Sequence, residues 1–302
     1  MKSNFTLRFV CVGSIATLLA SLSVQAALEW DGSDLITPGA QGGAGTWNGN
    51  NTANWWDSST SADVVWPASG TDHDAIFGGA AGGNVILASV TANDLTFNTS
   101  FLFWSSGGSG NPTGSSSSTV KVDGPNSTFS VTGSWDLADR GTGNQFKVLN
   151  GGTANMTGGG YVGYYTGNVA VLIDGTNSVW NTAAVDRANG GSSASATVSN
   201  NGRWNANGQI TFKNNHSLSL NSGGELNVQT LNLAAAGGRL NFNGGRLIAQ
   251  SSGSLVNGAG QIDLIGAAYI KTDYTKSIGN LIYDVGSLSK EGTGELTLST
   301  TT

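Results

Sequence analysis

The chain has 302 residues, 46 of them Gly and only 4 Pro, with apolar residues at 38% and charged residues at 11%. That apolar fraction argues against a disordered chain, and the glycines show no period of three, which excludes a collagen-like triple helix. A net charge of −6 with no basic stripe disfavours nucleic acid as a partner, and two His with one Cys argue against a zinc site or a Cys–His enzyme.

Residues 1–26 read as a secretory signal peptide. Lys2 and Arg8 precede the apolar run from Phe9 to Ala20, and Val24-Gln25-Ala26 offers small residues for cleavage before Ala27. The run is too short to span a bilayer comfortably, so the mature chain is expected not to cross a membrane. Cys11 lies inside the apolar run and lacks the small residues that precede a lipidated cysteine. Cleavage removes that Cys and two cations, leaving a charge of −8. An exported chain without disulfides must hold its fold by burial and hydrogen bonding.

Residues 27–114 are Trp-rich, with five of the nine Trp between Trp30 and Trp66. The open end of a stacked β structure needs protection, and this segment is expected to cap it. The alternative is that Trp47, Trp55, Trp56 and Trp66 stack on sugar rings. The segment ends in a Ser- and Gly-rich stretch from Ser105 to Ser118.

Residues 115–302 read as strand and turn throughout. Short alternating runs such as Phe129-Ser130-Val131, Leu218-Ser219-Leu220 and Leu240-Asn241-Phe242 are bounded by Asn and Gly. The run from Asp123 to Phe129 recurs from Asp174 to Trp180, an offset of 51, and that from Asn150 to Asn155 recurs from Asn200 to Asn205, an offset of 50. Turn signals begin at 123, 150, 174, 200, 221 and 243, spaced 21 to 27 residues apart. This spacing predicts an all-β solenoid of roughly eight coils, with strands paired in parallel along a rod on the order of 40 Å long. Phe129, Val131, Val169, Val171, Val198, Leu218, Leu220, Leu226 and Phe242 are expected to point inward, and Asn at matched corners to stack into amide ladders. A two-sheet sandwich is the competing fold, but it gives no reason for repeated turns.

The motifs resemble those of a known family. Trp30-Asp31-Gly32, Gly45-Thr46-Trp47, Thr52-Ala53-Asn54-Trp55 and the run from Asp74 to Gly79 are similar to the start of autotransporter-associated β-strand repeat proteins. The run from Val90 to Phe97 looks like their next strand. Asp123 to Phe129, Gly160 to Tyr164 and Asp174 to Trp180 resemble passenger repeats. The run from Leu288 to Ser299 is similar to the LxKxGxGxLTLS repeat of that family. The resemblance implies a right-handed parallel β-helix, carried as a passenger on the outer-membrane surface or secreted from a Gram-negative-type cell. It implies an adhesive or structural role toward an unidentified surface ligand, a glycan or another cell-surface protein. Such passengers commonly precede a C-terminal membrane barrel, and no series of membrane strands is legible here.

Catalysis is the alternative, because β-helices also carry polysaccharide-degrading enzymes. That chemistry needs carboxylates converging on one face. The local clusters are Asp72-His73-Asp74, Asp136 with Asp139 and Arg140, and Asp186-Arg187; each reads first as a solvated turn. A calcium-binding nonapeptide repeat is rejected, since Gly258-Ala259-Gly260-Gln261-Ile262-Asp263 misplaces its Asp by one residue and nothing repeats it. No catalytic, cofactor or metal residue is assigned, and the expected function is a non-catalytic exported surface. The runner-up is a carbohydrate-binding or polysaccharide-degrading β-helix protein, using either the Trp cluster or Asp136, Asp139 and Arg140.

Overall fold

The computed structural model describes residues 27–32, 37–49, 52–67, 73–80, 82–88, 92, 94–105, 119–131, 135–137, 143–163, 169–187, 194–213 and 215–299. The signal peptide expected over residues 1–26 lies outside them. The described residues form strands joined by turns. From Thr119 onward the chain winds through eight coils, each crossing three sheets that run the length of the rod.

The first sheet receives Thr119–Asp123, Asn144–Leu149, Val169–Asp174, Ser195–Ser199, Ser217–Asn221, Arg239–Asn243, Gln261–Leu264 and Leu281–Asp284, each parallel to the next. The second begins its coils with Thr128–Val131, Thr153–Met156 and Val179–Thr182, and ends with Ala267–Lys271 and Ser287–Glu291. The third contains the short strands Trp135–Leu137, Gly160–Val162 and Val185–Arg187, and ends with Lys276–Ile278 and Leu296–Leu298. Arg203–Phe212 and Glu225–Leu233 bend from the second sheet into the third without a break in the strand. The predicted parallel solenoid is therefore the observed fold.

All six turns singled out in the sequence fall at one corner, between the first and second sheets. Two corner types alternate over the first four coils. In Asp123-Gly124-Pro125-Asn126-Ser127 and Asp174-Gly175-Thr176-Asn177-Ser178, the serine hydroxyl donates back to the carbonyl of the Asp. In the coils between and after, Asn150 and Asn200 enter the left-handed region at φ 51°, which Asn tolerates better than most residues. Their side-chain amides donate to Asp123 and Asp174 of the preceding coil, both at 2.8 Å. Each corner thus interlocks with one of the other kind. That is why the same turn returns after 50 or 51 residues, which is two coils.

Gly152, Gly202, Gly224 and Gly245 close these corners for a different reason. A Cβ on Gly152 would lie 2.5 Å from the carbonyl oxygen of Val122, and one on Gly202 equally near that of Ile173; Gly224 and Gly245 repeat the approach to Val198 and Leu220. The coils are too close there for any side chain.

Alternation directs every second residue inward. Val120, Phe146, Val171, Ala196, Leu218, Leu240 and Ile262 stack in one interior column of the first sheet, all buried. Phe129, Val169, Val198, Leu220, Leu226 and Phe242 are buried as expected, while Val131 is half-buried against the same core. Indoles occupy the wide parts of the interior. Trp180 and Trp204 stack at 4.5 Å, and Trp204 Nε1 donates to Thr182 Oγ1 at 3.0 Å. Trp135 Nε1 donates to the Gly158 carbonyl at 3.0 Å, and a side chain at Gly160 would collide with the Trp135 ring.

The expectation of amide ladders at the corners needs correction. The corner asparagines Asn150 and Asn200 take the left-handed backbone and bond to Asp. The ladder runs instead along mid-strand outward positions of the second sheet, through Asn155, Asn181, Asn205 and Asn227. Only a flat, in-register sheet aligns amides so that each donates to the next.

Residues 27–105 contain more than a cap. Ala27–Trp30, Asp74–Phe77 and Leu95–Phe97 extend the first sheet in parallel, and Gly45–Asn48, Gly83–Ala88 and Ser100–Ser105 extend the second. Among the described residues of this segment, antiparallel strand pairing is confined to Trp55–Asp57, which lies along the outer edge of Ala27–Trp30, and to Ala62–Val64 beside it. Beneath them Trp30, Trp47, Trp55 and Trp66 interlock edge to face or tilted, with centroids 4.5–5.1 Å apart.

Leu220→Asp buries an unpaired charge between Val198 and Phe242, and we expect it to lower stability by more than about 4 kcal/mol. Gly202→Ala should cost about 1–3 kcal/mol by forcing two coils apart. Denaturant melts of both variants check the register, and an unchanged midpoint for either contradicts it.

Candidate functional site

Outward residues on a solenoid face form columns, because each coil lies on the next in register. The second sheet carries two such columns side by side. In one, Asn227 Nδ2 donates to Asn205 Oδ1 at 2.7 Å, Asn205 to Asn181 at 2.8 Å, and Asn181 to Asn155 at 2.7 Å; Asn155 reaches Ser130 Oγ at 3.4 Å. The chain has one direction. A carboxamide has two N–H donors and an oxygen with two lone pairs, so each rung keeps hydrogen-bonding capacity beyond the ladder.

The neighbouring column is ionic. Arg203 sits 2.8 Å from Glu225, Arg246 sits 2.9 Å from Glu225 on the other side, and Arg246 also reaches Glu291 at 2.9 Å. The Arg246 guanidinium lies 5.8 Å from the centre of the Tyr269 ring. Burial alone would push the Glu225 carboxyl up. Hydrogen bonds from Arg246 and Arg203 outweigh that and hold it below its ordinary value. Hydrogen bonds that Arg246 donates to Glu291 and Glu225 in turn raise the pKa of Arg246.

On the first sheet Lys121 and Lys147 lie in adjacent coils at paired positions, and Lys121 Nζ is 3.5 Å from Asp123. Burial raises the pKa of nearby Asp94 despite a hydrogen bond from the Thr119 N–H. Toward the end of the third sheet Lys276 is buried with its ammonium donating to the Gln229 carbonyl at 2.6 Å, one hydrogen bond across two coils. Burial lowers its pKa.

Several sequence candidates change their neighbours. Three of the four indoles proposed to hold sugar, Trp47, Trp55 and Trp66, are at most 3% exposed, and they pack against one another rather than face solvent. Only Trp56 of that group has partial exposure. His73 lies at the edge of this cluster, 6.1 Å from Trp66. Asp72, Asp139 and Arg140 lie outside the described residues. Asp136 occupies a register position opposite Tyr161, and Tyr161 in turn is opposite Asp186. The fold therefore relates Asp136 to Asp186, 50 residues away, at a backbone separation of about 10 Å across two coils. Asp263 stands 3.7 Å from Arg239 in a surface ion pair. His216, fully buried, accepts from the Ala194 N–H at 2.6 Å and holds a turn of the first sheet.

The sequence reading missed the amide and ionic columns. Their signal was present: Asn155, Asn181, Asn205 and Asn227 recur at the coil spacing, but within strands rather than beside the glycine turns that anchored the repeat.

No known protein family matches the chain, and no curated protein or solved structure matches it either.

Asn181→Ala removes a rung and leaves one donor and one acceptor of the ladder without their partner, which should cost about 1–2 kcal/mol. Adding Asn205→Ala should cost less than the sum of the two single changes, as a double-mutant cycle will read. The ion column has a pH signature. A carboxyl held below its unfolded value near 4.5 stabilises fully above that pH and loses its contribution as the pH falls through the folded value. The melting temperature should fall on acidification below that point, and fall less in Glu225→Gln.

Proposed function

We propose that the protein is an exported, non-catalytic rod that presents an adhesive or structural surface at the cell exterior. The single observation that carries this reading is the second sheet. Its outward columns align amides over four coils, from Asn155 to Asn227, and ion-paired groups from Arg203 to Arg246, while most of the aromatic and aliphatic mass is inside. Such a surface offers many equivalent weak contacts to an extended partner, and multivalent contact gives avidity without a pocket. The order of basic, apolar and small residues ahead of Ala27 supports export. A chain with no Cys after residue 11 suits threading through a membrane unfolded. The resemblance to autotransporter-associated β-strand repeat passengers supports the same localisation, on the outer-membrane surface or outside the cell.

A second reading is binding or cleavage of a polysaccharide. It is favoured by the register that pairs the backbone positions of Asp136 and Asp186 with that of Tyr161 from either side, since acidic and aromatic residues are the types that such chemistry uses.

Protease treatment of intact cells, followed by adhesion to a glycan array and to host or neighbouring cells, tests the first reading. Loss of the protein from the cell surface together with loss of adhesion is the expected result. A polysaccharide-degradation screen with the purified chain separates the two readings. Release of products that disappears in Asp136→Ala or Asp186→Ala would replace the adhesive reading with an enzymatic one.

A further inference from the structure

An asparagine followed by glycine is a chemically labile step, because glycine leaves its backbone nitrogen open to the neighbouring carboxamide. Seven such steps occur in the sequence, beginning at Asn48, Asn150, Asn189, Asn201, Asn207, Asn243 and Asn257. Asn189 lies outside the described residues. The fold ties down five of the other six. Asn150 and Asn201 take the left-handed backbone at φ 51° and 65°, and their amides donate to Asp123 Oδ1 and Thr176 Oγ1 of the preceding coil. The nitrogen that would attack is itself engaged at three corners. Gly151 N–H donates to Ser178 Oγ at 3.0 Å, Gly202 N–H to the Ser199 carbonyl at 2.8 Å, and Gly244 N–H to the Ala267 carbonyl at 2.7 Å. Asn257-Gly258 stands in register with Asn232-Leu233 and Asn48 with Ala88, while Gly49 bridges to Trp66.

Asn207-Gly208 is held differently. It lies where Arg203–Phe212 bends from the second sheet into the third. Toward the next coil Ala206 pairs with Val228 and Gln209 with Thr230, so Asn207 and Gly208 together oppose Gln229. Toward the preceding coil Ala206 pairs with Thr182 and Ile210 with Val185, which sets three residues against Ala183 and Ala184. The step is therefore a bulge on both sides, outside the ladder that aligns its neighbours. Asn207 is exposed to solvent, and Gly208 takes φ 158°. A Cβ on Gly208 would lie 3.0 Å from the Ala184 nitrogen, so the bend itself calls for glycine after this asparagine.

We propose that Asn207 is a modification site, where the folded protein deamidates itself through the Gly208 nitrogen. That nitrogen gives up its proton to hydroxide and attacks the Asn207 side-chain carbonyl carbon. A bond from the Gly208 nitrogen to Cγ forms, the bond from Cγ to Nδ2 breaks, and ammonia leaves with a proton taken from water. The resulting succinimide adds water at one carbonyl or the other and reopens as aspartate or isoaspartate. The net change consumes one water, releases one ammonia and leaves a carboxylate where an amide stood. Isoaspartate also adds a methylene to the backbone. Within a ladder that insertion would shift the register, but the bulge already carries more chain than its partners and has room for it. The reaction would place a negative charge on the bend between the second and third sheets.

Site-resolved mass spectrometry of the full chain tests the proposal. One sample is held folded in mildly alkaline buffer and a second is held in guanidinium chloride at the same pH, and both are digested at intervals. In the folded sample Asn207 should convert at least about tenfold faster than Asn150, Asn201 or Asn243, which must first open locally. In denaturant the same four steps should convert at similar rates, because the fold no longer separates them. The isoaspartate product should be found at residue 207 in chains that remain folded. Conversion at Asn207 no faster than at the three corner steps of the folded chain overturns the proposal. So does the same ranking in denaturant, since local sequence and not the bulge would then set the rate.

Discussion

Parallel stacking of one coil on the next is the constraint from which the rest of this structure follows. Neighbouring strands can approach only to about 4.8 Å, set by the backbone hydrogen bonds between them. Every side chain therefore sits on its counterpart from the coil below, and a residue type succeeds only if it tolerates a near copy of its own position. Glycine meets that condition at the corners where carbonyls come within reach of a Cβ. Asparagine meets it on the outer face, since one amide both gives and receives. Arg and Glu meet it by alternating, as Arg203, Glu225 and Arg246 do. Indoles meet it by stacking flat, or by facing a glycine, as Trp135 faces Gly160.

This constraint also explains which parts of the fold were legible in the sequence. The corner between the first and second sheets needs positive φ and close backbone approach, so it writes Asn and Gly into the chain at every coil. The interior of the first sheet needs alternating aliphatics, so Leu218, Leu220 and Phe242 announce their direction. The third sheet leaves a fainter mark. Its early strands have three residues each, and its corners vary in length and composition, so only the backbone reveals them. The coils before residue 105 were hidden for another reason. Their aromatic content reads as a distinct segment, yet large rings are simply another way to fill the same interior, as the stacked Phe77, Phe97 and Phe129 make plain.

The surface was harder to read than the core, and the difference is physical. Burial selects for residue class at each position, which a periodic pattern exposes. An outward column is defined only by alignment between coils whose length varies between 21 and 27 residues. Without the register, Asn155 and Asn227 are two asparagines among many, and Asp136 and Asp186 belong to separate turns. The local cluster of Asp136, Asp139 and Arg140 was visible because it is local; the relation of Asp136 to Tyr161 and Asp186 belongs to the fold.

Lys276 gives the last coils an internal clock. Its amine is held against carbonyls of the two preceding coils and is closed to water, while Lys290, one coil further along, is exposed. An acylating reagent in solution meets Lys290 at once but meets Lys276 only in the moments when the terminal coils part. The ratio of the two labelling rates is then the fraction of time that this end of the rod spends open. Fraying becomes a quantity that mass spectrometry can read one amine at a time, without unfolding the remainder of the chain.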